Sequence, residues 1–389
     1  MKAKGSRLFD ADGNEFVDYW CTHFALILGH THSKVVRAIE QQLEKGYHFG
    51  VPYEQEIKLA ELITKTVPSA CMVSLTNSGT EANMYAVRLA RTYTKREKIG
   101  KFEGCWHGGY DSLHVAVKQP LDKAQSGGLT SDYARHTVVL PYNDLEATRR
   151  RIRDEKLACV LIEPMLGAGG MVPCERNFLE GLREVCDESG TLLVFDEVVT
   201  GFRLGLGGAQ QYYGVLPDLT VLGKILGGGL PIGAIAGRED VMEHLDSKKY
   251  EGEELSYVGG TGIGNTLSVT AGYATIEELK RTNPYSNLDR LGQRVREGLR
   301  EAFERSGINA QITGLGSTFG CHFTKGPVRN IRDVERGDAS LTQRFHGTLL
   351  QNGIFTLTPH LIHGCISTAH NSQDIERLIA VAGKFRSKS

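Results

Sequence analysis

No apolar run in this chain is long enough to span a bilayer, which excludes a membrane-crossing segment. The start, Met1-Lys-Ala-Lys-Gly5, leads into charged residues rather than a hydrophobic stretch, so no leader peptide is expected. Charge of one sign is also lacking. Lys+Arg number 45 and Asp+Glu 46, a balance that argues against nucleic acid or an anionic membrane as partner. The short basic runs at 94–98 and 149–153 are interrupted or flanked by acids and read as solvated helix faces. Cys-x-x-Cys spacing is absent, and the eight cysteines are scattered singly between Cys21 and Cys365, as expected for reduced thiols in the cytoplasm. The histidine pairs His30/His32 and His360/His363 have no acidic or cysteine companions at ligand spacing, so no metal is expected. Repeats and low-complexity segments are missing too. A phosphate-loop nucleotide site needs Gly-Lys followed by a hydroxyl residue, and here Gly-Lys precedes only Phe102, Ile225 and Phe385.

What is present is a core large enough for an enzyme of more than one domain, at 389 residues. Its centre is Thr191-Leu-Leu-Val-Phe-Asp196-Glu197-Val198, the pattern of a buried parallel strand delivering a carboxylate at its C-terminal end. Ligands bind at that edge of open α/β sheets. A second apolar run, Asp218-Leu-Thr-Val-Leu-Gly-Lys224, brings an amine to the same edge. An acid and a lysine so placed suit pyridoxal 5'-phosphate: the lysine holds the cofactor as an imine, and the acid keeps the ring nitrogen protonated. Lys224 precedes a glycine-rich apolar stretch, where burial would lower its pKa and favour that chemistry; the plain alternative is a surface lysine. Along the strand Asp196 and Glu197 alternate, so Asp196 and Val198 share one face.

Elsewhere, Arg7 to Tyr19 reads as a hairpin about an Asp12-Gly13 turn, with helices from Ser33 and from Glu54 to Thr66. Met72-Val-Ser-Leu-Thr-Asn77-Ser78-Gly79-Thr80-Glu81-Ala82 reads as strand, turn and helix. Its first turn could take a phosphate on free N–H groups with the Ser78 and Thr80 hydroxyls, or could be simple capping. A strand from Lys98 to Glu103 ends in Gly104-Cys105-Trp106-His107-Gly108. The flanking glycines suit a Trp106 ring that stacks on a flat ligand, with His107 either orienting that ring or satisfied structurally. A strand from Ala158 ends at Glu163-Pro164, and a helix is expected to start on an Asn177 cap with Glu180 completing a capping box. From about Pro284 onward, charged helices alternate with short strands, as in a smaller α+β domain.

As an ordered set, Asn77-Ser-Gly-Thr-Glu-Ala82, Phe102-Glu-Gly-Cys-Trp-His-Gly108, Phe195-Asp-Glu-Val-Val-Thr-Gly-Phe-Arg203, Leu222-Gly-Lys-Ile-Leu-Gly-Gly-Gly229 and Ser367-Thr-Ala-His370 resemble the class III aminotransferases of pyridoxal phosphate fold type I, on the glutamate-1-semialdehyde aminomutase branch. The resemblance covers nearly the whole chain. It implies a large domain on a mostly parallel seven-stranded sheet (51–283), a smaller C-terminal α+β domain (284–389), and an N-terminal segment (1–50) belonging to the smaller unit. It implies that Lys224 forms the internal aldimine and shuttles protons, and that Asp196 pairs with the pyridinium nitrogen. Trp106 and Val198 would sandwich the ring, and Ser78, Gly79 and Thr80 would bind the phosphate. His107 belongs to the same cofactor site, and Thr261 would reach the phosphate of the other subunit of a homodimer with shared active sites.

Two positions depart from the aminomutase pattern. Ala168 stands where that branch carries an asparagine and other branches a glutamate, and Pro359-His-Leu-Ile-His363 lacks an expected acid. A segment that relatives place before the hairpin is missing as well. Leu361 and Ile362 are expected to make the pocket apolar, suiting a hydrophobic or β-amino donor, with Arg203 either a carboxylate anchor or structural. The expected activity is therefore amino transfer from an amino acid or amine to a keto acid through a pyridoxamine intermediate. Glutamate-1-semialdehyde 2,1-aminomutase follows second, and a racemase or decarboxylase third; a cofactor-binding protein without turnover is the non-enzymatic alternative.

Overall fold

The computed structural model describes residues 1–130 and 132–386. Its frame is a seven-stranded sheet in the spatial order Met72–Thr76, Gly233–Gly237, Leu219–Leu222, Leu192–Asp196, Cys159–Ile162, Ile99–Phe102, Thr137–Leu140. All run parallel except Gly233–Gly237, which is antiparallel to both its neighbours. The inner strands are mostly apolar because helices cover both sheet faces, and Cys159–Ile162 and Leu219–Leu222 are buried at every position, Thr220 included. One covering helix, Gly79–Thr94, turns Ala82, Ala86, Leu89 and Ala90 inward, all fully buried.

The strands' C-terminal ends form one edge. Residues just beyond Thr76, Phe102, Ile162, Asp196 and Leu222 gather there, and they include every segment singled out for chemistry except that of Thr261. The sequence expectations for the helices Ser33–Leu43 and Glu54–Thr66 agree with the structure. The hairpin is present too, Arg7–Phe9 against Glu15–Asp18, with Gly13 at φ +87° in the turn.

The expected Asn177 cap is corrected. The helix spans Arg176–Ser189 and its N-cap is Glu175, whose side chain does not cap. Asn143 Oδ1 instead accepts the Glu175 N–H at 2.9 Å, and the Glu175 carboxylate is taken by Arg329, so long-range partners replace the local box.

Chain ends and chain start meet. Glu15–Asp18 pairs in parallel with Ile354–Phe355, and Thr318–His322 lies between Gln311–Thr313 and Ile362–Cys365 in an antiparallel sheet. Tyr19, at the end of the first sheet, packs its ring edge-on to Phe319 at 5.6 Å and donates its hydroxyl to Asp374 O at 2.9 Å. No helix among the described residues is long and apolar enough to cross a membrane.

Candidate active site

A cavity of about 620 Å³ opens at the C-terminal edge of the sheet. Ser78, Gly79, Thr80, Trp106, His107, Asp196, Val198 and Lys224 all line it, so eight of the nine expected site residues converge. Thr261 does not line the cavity of its own chain. It is exposed, in the turn before the helix Thr266–Thr282, although a Cβ on either neighbour, Gly260 or Gly262, would come within 3 Å of the Asn77 amide.

The floor is built by Asp196. Strand alternation sends it into the cavity and Glu197 to the opposite side, where Glu197 accepts from Ala209 N, Gln210 N, Gln210 Nε2 and Thr200 Oγ1. Asp196 Oδ1 accepts the Val198 N–H at 3.0 Å. Its Oδ2 accepts from Asn83 Nδ2 at 2.8 Å and meets His107 Nδ1 at 2.7 Å. Both side chains are buried, and burial holds the His107 pKa down against the pull of the Asp196 hydrogen bond. His107 therefore supports the Asp196 carboxylate through Nδ1, while its buried Nε2 has no hydrogen-bond partner among the described residues. Asn83 was not legible as a site residue, although it sits one helical turn after Gly79 on the same face.

The first turn of Gly79–Thr94 points its end at the cavity. Ser78 is the N-cap and accepts the Glu81 N–H at 3.2 Å, while Glu81 reaches back to the Asn77 N–H at 2.8 Å. Capping leaves room for an anion, because the cap occupies one donor and the other first-turn N–H groups have no partner inside the helix. Gly79 is needed for closeness: a Cβ there would lie 2.8 Å from Val198 Cγ2. Trp106 is 39% exposed, so its ring is available from the cavity, and its backbone N–H donates to Glu163 Oε1 at 2.7 Å. Glu163 also accepts the Gly167 N–H at 3.0 Å. Burial, and next to it the charge of Asp196, push the Glu163 pKa up.

Lys224 follows the strand Leu219–Leu222 at φ +49° and opens the short helix Lys224–Gly227. Burial lowers its pKa, opposed by the charges of Asp196 and Glu163, so more of the amine is neutral and nucleophilic than on the surface.

Three expectations about the substrate side are revised or decided. Ile362 begins a strand and is buried in the core, and neither it nor Leu361 lines the cavity; alternation puts His363 there instead. Arg203 is structural: fully buried, it donates to Phe24 O at 2.5 Å, Ser317 Oγ at 3.1 Å and Ile366 O at 3.5 Å. Ala168 does line the cavity, as do Trp20, His23 and Phe24, which carried no motif signal.

The pattern that defines the "Aminotransferase class-III" family matches residues 1–373. Glutamate-1-semialdehyde 2,1-aminomutase of Methanopyrus kandleri is 43% identical over 381 residues, covering 97% of this chain and 87% of that protein. An omega-transaminase from Sphaerobacter thermophilus superposes with a TM-score of 0.91 at 38% identity, over 98% of this chain and 89% of that one. A β-phenylalanine aminotransferase from Variovorax paradoxus gives 0.90 at 34% identity, over 99% and 86%. With Lys224 and Asp196 at one sheet edge and the whole fold shared, this chain belongs to the class III aminotransferases, pyridoxal phosphate enzymes of fold type I.

Proposed function

We propose that this enzyme moves an amino group from an apolar amino acid or amine to a separate keto acid, with pyridoxal 5'-phosphate held by the eight converging residues. The observation that carries this reading is the cavity itself, in which a partly buried lysine and a buried, hydrogen-bonded carboxylate face one space beside a helix N-terminus. The residues fit the cofactor. Ser78, Gly79 and Thr80 would hold its phosphate, Trp106 and Val198 would hold its ring, and Asp196 would bind its ring nitrogen. When bound, the cofactor supplies the electron sink that makes the hydrogen on the donor's amine-bearing carbon acidic.

The chain's own groups do the rest. His107, Asn83 and the Val198 N–H fix both oxygens of Asp196, which would present that carboxylate to the cofactor's ring nitrogen. Lys224 Nζ would hold the cofactor and, once freed by the donor amine, would carry the proton from the amine-bearing carbon to the cofactor within the first half of the cycle and in the opposite direction, to the acceptor carbon, within the second. Glu163 holds Trp106 by its backbone and so fixes the ring's place.

Mutase activity is the second reading, favoured by the 43% identity to the Methanopyrus kandleri aminomutase. Ala168 weighs against it, since a methyl group in the cavity wall offers no hydrogen bond to a retained diamino species. We read 1–50 with 284–389 as one smaller unit beside 51–283, and the active form as a cytoplasmic homodimer in which the exposed Thr261 turn completes the partner's phosphate cup. A fully active monomer in sedimentation would exclude the dimer.

The test of the reading is Lys224→Ala. Turnover should vanish, cofactor should still bind non-covalently, and borohydride should label a Lys224 peptide in wild type only. A label on another lysine would sink the assignment.

A further inference from the structure

One wall of the cavity is left unexplained by cofactor binding. It comes from residues 20–24 and from His363, and its backbone is unusual. Cys21, Thr22, His23 and Phe24 have φ of 46°, 54°, 52° and 72°, a full left-handed turn made without glycine. Left-handed backbone is unfavourable for an L-residue, so four in succession persist only where the surroundings impose them. They do so here from both ends. Asp18 Oδ1 accepts the Trp20 and Cys21 N–H groups at 2.8 and 3.0 Å, while its Oδ2 is held by His30 Nε2 at 2.7 Å. The fully buried Arg203 donates to Phe24 O.

What this strain achieves is a cluster of rings. Trp20 stands at its centre, with ring centroids 4.6 Å from His23, 4.7 Å from Phe24 and 5.4 Å from His363, all edge-to-face; Phe24 and His363 are 5.4 Å apart. All four line the same cavity as Lys224. Burial takes the His363 pKa down to about 4, and burial with the Lys224 charge lowers that of His23, so the wall is uncharged at neutral pH. Among the described residues the cavity lining contains no arginine and no lysine but Lys224. A substrate carboxylate therefore meets no fixed cation on this wall, whereas a flat apolar group meets several ring edges and faces, the arrangement in which aromatic pairs attract.

Resting on the amino-transfer reading above, we propose that Trp20, His23, Phe24 and His363 form the donor side-chain subsite, which selects an arylalkyl primary amine by its ring and does not read a carboxylate. Trp20 and Phe24 are its specificity-determining residues, and His23 and His363 complete the ring contacts.

The test uses holoenzyme with a keto acid acceptor and three donors: 1-phenylethylamine, sec-butylamine and β-phenylalanine. The kcat/KM for 1-phenylethylamine should exceed that for sec-butylamine by about tenfold or more, the value of the extra apolar surface buried. β-Phenylalanine should be no better than the amine that lacks its carboxylate. Trp20→Ala should bring the aryl preference, read as the ratio of the two kcat/KM values, down to about threefold or less, with a retained cofactor absorbance band and thermal midpoint showing that the fold and the cofactor site survive. If Trp20→Ala does not fold, Phe24→Leu carries the same comparison. Equal rates for the two amines, a large advantage for β-phenylalanine, or a preference unchanged in the folded variant would each overturn the proposal while leaving amino transfer intact. No transfer from any of the three, nor from alanine, would overturn the underlying reading along with it.

Discussion

Single residues fix the chemistry. The acid and the lysine were legible in sequence because each closes an apolar strand, and strand alternation is a local property: Asp196 inward and Glu197 outward follow from the period of two alone. Trp20 and His23 were not legible, since their place depends on a left-handed turn held by Asp18 and by Arg203, which lies some 180 residues along the chain. His363 carries a pH signature. Burial lowers its pKa from 6.5 to about 4, so between those values the unfolded chain binds a proton that the folded one does not. Stability from this group is full above about pH 6.5 and is lost as pH falls through the window toward 4, by an order of about 3 kcal/mol. His363→Gln should therefore flatten the fall in thermal midpoint between pH 6.5 and 4. Parallel pH profiles for wild type and variant would show that His363 is not held neutral.

At the scale of elements, the decisive contact is between the loop after Ile99–Phe102 and the first turn of Gly79–Thr94. Gly108 has φ +85°, and a Cβ there would lie 2.1 Å from Thr80 Oγ1 and 2.8 Å from its Cα. Gly108→Ala must push Thr80 and the helix start away from the position proposed above for the cofactor phosphate. Cofactor affinity, read by absorbance titration, should drop about tenfold or more, with a stability loss of about 1–3 kcal/mol. Gly109→Ala is the control, because nothing lies within 4 Å of a Cβ there. Unchanged affinity in Gly108→Ala would separate this turn from the phosphate. The motif's residues were readable from sequence, yet not this contact, which joins two segments only through the sheet order. The same limit explains the misplaced Asn177 cap: a local Asn-x-x-Glu pattern was overruled by Asn143 and Arg329.

At the scale of the whole molecule, the sheet gathers five strand ends from across the chain into one cavity, and those ends bring a lysine, an acid and a helix start together. Sheet and site were readable together because buried parallel strands announce themselves as unbroken apolar runs. The substrate side was not, since the expectation for Leu361 and Ile362 rested on residue type without register, and the pairing of Ile362 with Cys321 turns His363 inward instead. Transfer between separate molecules is the central claim, and Ala168, unable to hydrogen-bond a retained intermediate, is what separates it from mutase action. The most direct measurement compares the purified enzyme's rate with glutamate-1-semialdehyde alone against its rate with a separate apolar amine and a keto acid. The account predicts the two-substrate reaction to be faster by about tenfold or more; efficient formation of 5-aminolevulinate with no acceptor present would contradict it.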